Sequence, residues 1–318
     1  MIYRNCIYNL LVLSILILTR FYCSGEDKVR FVEMHNQIDI FFGDKFFTSY
    51  IYSPDLAKPI LHPIFFPSGV LLTRGYPLEE IVGESHDHPH HTGLWFAYDE
   101  VNDQHFWNNT EPPPQILHKR YTIVEKDNIL KTISHWIDEK EKPILEEIRT
   151  MTFHPEETVY LVDFSFVLRA LDTTVVFKDT KEGLFAIRVG DWLNEIKGTG
   201  QYMGSTGAIR EQGIWGKRAS WVKLEGRMDD KTYGVVILNH PNSINYPTYW
   251  MARGYGLFAA NPLGQLFYQK YHGEIEPEEF QLTLEPQESA FFKFRVILYE
   301  GGRTKEEMDD IFEEYLGL

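Results

Sequence analysis

Between Glu84 and Trp107 the chain reads Glu84-Ser-His-Asp-His-Pro-His-His-Thr-Gly-Leu-Trp-Phe-Ala-Tyr-Asp-Glu-Val-Asn-Asp-Gln-His-Phe-Trp107. His86, His88, His90 and His91 fall within six residues and His105 follows, so five of the 12 histidines share one short window. Neutral imidazole is the commonest metal-binding side chain and the usual proton shuttle near neutral pH. Pro89 fixes its own φ and pushes His88 toward an extended conformation. Alternation along an extended run sends His86, His88 and His90 to one side, and Asp87 and His91 to the other. Three imidazoles on one side could hold a divalent metal and leave positions open for substrate. With no sulfur in the set, zinc, iron, manganese and nickel are all admissible. The same imidazoles could instead serve acid/base catalysis or hydrogen-bond a sugar. An exposed polar loop whose rings cap its own turns is the plain alternative.

Two further stretches carry chemistry. Arg188-Val-Gly-Asp191-Trp192 sets a cation, a carboxylate and an indole close together, Lys197-Gly-Thr-Gly200 is a turn, and Trp215-Gly-Lys217-Arg218-Ala-Ser-Trp221 puts two cations between indoles. Arginine could clamp a carboxylate or polarise a carbonyl, and tryptophan could stack on a sugar ring; a buried Arg–Asp pair with tryptophan as core filler is the other reading. From Asn239 to Gly264 the chain holds His240-Pro241, Tyr249, Trp250, Arg253, Tyr255 and Asn261-Pro262. Its Gly and Pro predict irregular loops, where binding residues concentrate on a rigid scaffold, although the prolines could simply build turns. On this reading His88, His90 and His91 take metal or proton transfer, although a straight strand would part His88 from His91. Asp191 and Arg188 orient substrate, and His240 is a second acid/base. Trp95, Trp107 and Trp250 form stacking surfaces. His105, Lys217, Arg218, Tyr249, Arg253 and Asn261 complete substrate binding.

The elements that must position these residues read as β-strands. Ile38–Tyr52 is two alternating strands about a Gly43-Asp44 turn. Tyr121–Lys126 and Lys131–Ile137, Ile144–Phe153 and Val159–Leu168, and Gln281–Leu284 and Phe291–Leu298 read as hairpins, with short strands at Thr174–Phe177, Leu184–Val189, Ala219–Leu224 and Gly234–Leu238. Such a series predicts an all-β chain, a large antiparallel sandwich or barrel, and aromatic content of 15% suits it. Thr304–Tyr315 alone has a helical apolar face, giving a short C-terminal helix. No glycine-rich phosphate loop opens a helix, so no nucleotide cofactor is expected.

The 318 residues carry 31 basic and 46 acidic side chains, net −15, which disfavours nucleic acid as a partner. Arg4, the apolar run Leu10–Leu18, small residues at Cys23-Ser-Gly25 and polar Glu26-Asp27 follow the order of a secretory signal. The apolar run is too short for a comfortable membrane span of about 20 residues. The division is therefore a signal peptide over 1–25 and one β-sandwich domain over 26–318, with no stable span once the signal is removed. The protein is then secreted or periplasmic, a lipoprotein through Cys23 or an uncleaved anchor being the alternatives. Cys6 and Cys23 are the only cysteines, so no disulfide framework is expected. Asn108-Asn-Thr110 is a glycosylation sequon.

The motifs together resemble the PmoA-like family, a domain of unknown function that bears the label methane oxygenase PmoA. The resemblance rests on Asp87-His-Pro-His-His91, Gly93-Leu-Trp-Phe96, Phe106-Trp107, Gly190-Asp-Trp192, Lys197-Gly-Thr-Gly200, Trp215-Gly-Lys-Arg-Ala219, Pro247-Thr-Tyr-Trp250 and Arg253-Gly-Tyr-Gly-Leu-Phe258, with Lys58-Pro59 and Pro67-Ser-Gly69 near the start. Asn239 and Met251 depart from it, standing where Asp and His are expected. The label does not fit literally, because a membrane oxygenase subunit needs several apolar spans. The resemblance implies instead an exported protein encoded near sugar oxidoreductases, with a β-supersandwich similar to galactose mutarotases and polysaccharide lyases. The expected function is a carbohydrate-active lyase or hydrolase acting on a glycoside or an oxidised (keto) sugar. A non-catalytic sugar-binding protein and a metal-free mutarotase-like epimerase are the alternatives.

Overall fold

A computed structural model describes residues 28–317. The signal peptide expected over residues 1–25, with Cys6 and Cys23, lies outside the described residues. Two eight-stranded antiparallel sheets form the body. The first orders Val29–Met34, Gln37–Phe42, Lys45–Ile51, Ile60–Ile64, Leu94–Tyr98, Gly183–Arg188, Leu257–Asn261 and Tyr249–Ala252. The second orders Gln201–Gly204, Trp221–Met228, Lys231–Asn239, Ser289–Glu300, Val159–Ala170, Pro143–Pro155, Ile129–Ile137 and Gln115–Val124. The all-β sandwich read from the sequence is therefore present.

Alternation explains most of the second sheet. Val159–Ala170 buries every second residue without a break, so one face turns inward and the other meets solvent. The inner faces meet through aromatic rings. Phe96 stacks on Phe166 with ring centres 3.9 Å apart, and Phe185 stacks on Phe294 at 4.9 Å. The centre of the first sheet differs: Leu94–Tyr98, Gly183–Arg188 and Leu257–Asn261 are buried along their whole length. Loops cover their outer face as well as the opposing sheet covering their inner face, and these loops carry the candidate chemistry.

Three expectations need correction. The stretch 239–264, read as irregular loops, contains the buried strands Tyr249–Ala252 and Leu257–Asn261. Burial on both faces had erased the alternation that marks a strand. The Gln281–Leu284 and Phe291–Leu298 segments are strands but not partners. Leu282–Leu284 pairs with Val175–Phe177 in a separate two-stranded sheet, while Ser289–Glu300 enters the large sheet beside Val159–Ala170. The C-terminal helix, Lys305–Leu316, is joined by two short ones, Arg210–Ile214 and Gln265–Tyr271. The long helix starts where a capping box forms: Thr304 Oγ1 accepts from the Glu307 amide, and the Glu307 carboxylate accepts from the Thr304 amide.

Phe166 touches rings from both sheets. Phe166→Ala should lower unfolding free energy by about 3–5 kcal/mol, read from urea titration, because a fully enclosed ring leaves a cavity that cannot collapse.

Candidate functional site

The histidine segment is not an extended run. His88 has φ +46°, the His91 amide donates to the His88 carbonyl at 3.0 Å, and residues 89–90 form a turn. That turn destroys the expected separation of faces. His88 and His91 stack, planes 2° apart and centres 4.7 Å apart, and His90 packs edge-on against His91 at 4.4 Å. His86 goes elsewhere: it stacks on Tyr76 and pairs with Glu80 at 2.9 Å. His86, His88 and His90 therefore do not form the three-imidazole metal set that alternation predicts.

Two buried arginines hold the turn. Arg74 Nη1 donates to Asp87 Oδ1 at 2.5 Å, and Arg188 Nη2 donates to the same oxygen at 2.6 Å. Arg74 also donates to the carbonyls of Ser85, Asp87, His88 and His91. The guanidiniums are 1% and 0% exposed, so this loop backbone stands in for the water they lost. Asp191 anchors the approach to the turn: its Oδ2 accepts from the Ser85 amide, the Ser85 hydroxyl and Lys197. Arg188 and Asp191 thus position the histidines rather than face the hollow beside them.

Asp87 also organises proton chemistry. Its Oδ2 lies 2.8 Å from His88 Nδ1. A carboxylate there fixes the proton on Nδ1 and leaves the Nε2 lone pair of His88 free. Burial raises the Asp87 carboxyl, but Arg188, the His88 hydrogen bond and Arg74 together bring it below the usual carboxylate range. Burial first, then Lys58, His88 and the two arginines, pushes His90 down to about 3. Burial, His90 and Arg188 drive His91 well below its ordinary value. His90 and His91 are therefore neutral at physiological pH.

The rings continue as a column. Tyr255 stacks on His88 at 5.0 Å, and His91 stacks on Trp95 at 5.5 Å. Gly93 lets the chain drop from the turn into the Leu94–Tyr98 strand. It sits at φ +58°, and a Cβ there would lie 2.3 Å from the Leu61 carbonyl oxygen. In strand register Trp95, Ala186, Ala259 and Met251 lie side by side, so they share a face. Of the four, Met251 lines a cleft, and the two alanines are fully buried.

His88, His90, His91, Asn108, Lys181, Glu182, Met251, Arg253 and Tyr255 line that cleft, of about 350 Å³. Arg253 pairs with Glu211 at 2.8 Å and lies over the Tyr255 ring. Lys181 pairs with Glu182. Asn261 donates to the Thr180 and Lys181 carbonyls, and Tyr268 donates to the Lys181 carbonyl, so both hold that segment from behind.

Other candidates fall elsewhere. Trp95, Trp107 and Trp250, read as stacking surfaces, are fully buried; Trp95 and Trp107 pack against His91 from behind, and Trp250, in register with Ala260 and Phe185, is on the core face of its sheet. His240 packs edge-on against Tyr315 of the C-terminal helix, and its Nδ1 accepts from the Asn242 amide. Arg218 is occupied by Asn245, Pro247 and Gln265, and Tyr249 stacks on Tyr268. Lys217 is exposed beside them. His105 belongs to another group. With Asp99 and Glu100 it is, among the described residues, the set of three whose ligand atoms all lie within 4.8 Å of one another, and it could hold a divalent ion. Asp99 Oδ2 already accepts from Asn108 of the cleft.

Sequence reasoning missed Arg74, Lys181 and Glu182 as parts of this site. Lys181-Glu182 carries no motif, and Arg74 lies a dozen residues ahead of the window it clamps.

The profile of a family of unknown function, DUF6807, matches residues 37–313. No curated protein matches the chain significantly. Among solved structures the chain is similar to a polysaccharide lyase, at 11% identity over 90% of this chain and 35% of that one, with a TM-score of 0.39. It is also similar to a galactose mutarotase related enzyme from Lactobacillus acidophilus, at 8% identity over 85% and 97% of the two chains, with a TM-score of 0.31. A 4-alpha-glucanotransferase from Thermococcus litoralis shares 9% identity over 86% and 39%, with a TM-score of 0.28. The chain thus spans about a third of the length of the lyase.

Asp87→Asn should cost about 1–3 kcal/mol of unfolding free energy in urea, because it leaves two buried guanidiniums without their shared anion. Acid should also weaken the fold. His90 and His91 titrate lower in the folded chain than the ordinary value of 6.5, so the unfolded chain takes up protons first. The His90 contribution is complete above about pH 6.5 and is lost as pH falls toward 3, and His91 acts in the same direction. The urea midpoint should fall across that window, and His90→Gln should flatten the slope.

Proposed function

We propose that this chain, which belongs to the DUF6807 family of unknown function, is a carbohydrate-active enzyme that removes a proton from an oxidised (keto) sugar bound in the histidine cleft. The observation that carries this reading is the Asp87–His88 pair, whose free imidazole nitrogen belongs to a cleft with cationic side chains. A base held in one tautomer by a carboxylate is the arrangement that general base catalysis requires. A carbonyl on a sugar ring acidifies the neighbouring C–H. His88 Nε2 takes that proton, and Arg253 and Lys181 stabilise the charge that develops on the carbonyl oxygen. Loss of a substituent at the next carbon completes an elimination, which makes the enzyme a lyase. Tyr255 gives the ring an apolar face, while Glu182 and Asn108 accept from and donate to its hydroxyls. The PmoA-like resemblance of the motifs agrees with sugar chemistry. Export through the signal at residues 1–25 would place the reaction outside the cytoplasm.

The test uses a keto-glucoside as probe. His88→Asn should lower kcat by about 10²–10⁴-fold with the calorimetric Kd little changed. Wild-type activity that survives His88→Asn undiminished overturns the assignment. Binding of the keto-glucoside by wild type with no turnover makes the protein a binding module instead.

A further inference from the structure

Lys58 is a buried titratable group for which the proton-transfer chemistry has no use. It is 3% exposed, and among the described residues its one hydrogen bond is from Nζ to the Trp107 carbonyl at 3.0 Å. A charged ammonium has three donors to satisfy, and a buried one with a single acceptor is poorly served. An anion is close enough to act on it: Asp99 raises the lysine's proton affinity. Yet Asp99 Oδ1 is itself buried without a hydrogen-bond partner, and Asp99 Oδ2 is taken by His105 and Asn108. No Lys58–Asp99 ion pair forms. Burial outweighs Asp99 and brings the amine down to about 7, against an ordinary value of 10.5. The groups that feel its charge besides Asp99 are His90 and His91, both held neutral. Among the described residues the amine thus has one neutral acceptor and no ion pair.

Its position completes the case. Lys58 and His90, with Ala57, Thr92, Asn109 and Thr110, line a second hollow of about 230 Å³. His90 also lines the main cleft, so the two spaces meet at one imidazole. Neutral lysines in desolvated pockets are the ones that attack carbonyl carbon.

We propose that Lys58 is a nucleophilic lysine that condenses with the carbonyl group of an aldehyde or keto sugar. The amine lone pair forms the C–N bond, and the carbonyl oxygen becomes a hydroxyl by taking a proton from the nitrogen. That hydroxyl leaves as water after a second proton arrives from solvent, giving an imine and no net oxidation or reduction. Protonated, the imine draws electrons from the adjacent carbon more strongly than the ketone did, which eases removal of the neighbouring proton; its nitrogen then takes the electron pair that the carbonyl oxygen would otherwise hold. The proposal rests on the keto-sugar reading above and names how the carbonyl is activated.

Reductive trapping tests it on the unmodified protein. Wild type is treated at pH 7 with a low dose of glyceraldehyde and sodium cyanoborohydride, digested, and mapped by mass spectrometry. Lys58 should carry the adduct at least tenfold above exposed lysines such as Lys126, and excess keto-glucoside should compete. Adducts on exposed lysines with Lys58 unmodified overturn the proposal. A second arm uses Lys58→Met, which keeps most of the apolar stem. Loss of keto-glucoside turnover with calorimetric binding retained supports the imine; turnover at the wild-type rate overturns it while leaving the His88 reading intact. Trapping at Lys58 without turnover of the keto-glucoside by wild type has the reverse meaning: the amine is reactive and the lyase reading fails.

Discussion

One carboxylate oxygen, Asp87 Oδ1, receives two buried guanidiniums, and the site depends on that contact. Arg74 precedes the histidine segment and Arg188 ends a central strand, so Asp87 ties a loop to the middle of a sheet. Burying two like charges beside each other is unfavourable, and each lowers the proton affinity of what lies near. The structure turns that cost to use. The cationic surroundings lower His90 and His91, reinforcing burial, while Asp87 Oδ2 remains available to orient His88. Replacing the pair with apolar residues could keep a fold, but it would remove the field that sets the protonation of the imidazoles.

The cleft follows from strand register more than from loops. Leu94–Tyr98, Gly183–Arg188 and Leu257–Asn261 lie side by side, and at one end they deliver the His91 turn, Arg188 and Tyr255 together. At the other end the Gly183–Arg188 strand begins just after Lys181-Glu182. The cleft therefore has the His88 turn at one end and the Lys–Glu pair at the other. Trp95, beneath His91, sets how deep the column of rings can sit.

Strands with one wet face were legible in the sequence, because their period of two survives: Gln37–Phe42, Val159–Ala170 and the Gly43-Asp44 turn are where the pattern puts them. The central strands were harder. Tyr249–Ala252 and Leu257–Asn261 are buried throughout, and their segment, rich in Gly and Pro, reads as loop. Residue type singled out 84–107, and His88, His90 and His91 do pack together there, but alternation gave the wrong partners. A positive φ at His88 is not readable from Pro89, which favours the extended state for the residue before it. The tryptophans misled for a related reason. Aromatic side chains beside histidines suit both a sugar platform and a core, and only the solvent-free packing of Trp95, Trp107 and Trp250 separates the two.

The charge distribution favours proton removal over proton donation. The protein as a whole is strongly acidic, net −15, yet Arg74 and Arg188 clamp the histidine turn and Arg253 and Lys181 line the cleft. In low dielectric, a fixed positive environment stabilises an oxyanion more than a neutral carbonyl, and the difference acts on the transition state alone. The same environment opposes an imidazolium, so His90 and His91 are unsuited to serve as acids near neutral pH. A glycosidase-like arrangement would need a carboxyl held protonated and a second held as base across the scissile bond. Glu182 is the one carboxylate residue lining the cleft, and it is paired with Lys181. On the proposed reading His88 serves as base and Arg253 and Lys181 as oxyanion cations, the set an elimination from a carbonyl sugar demands.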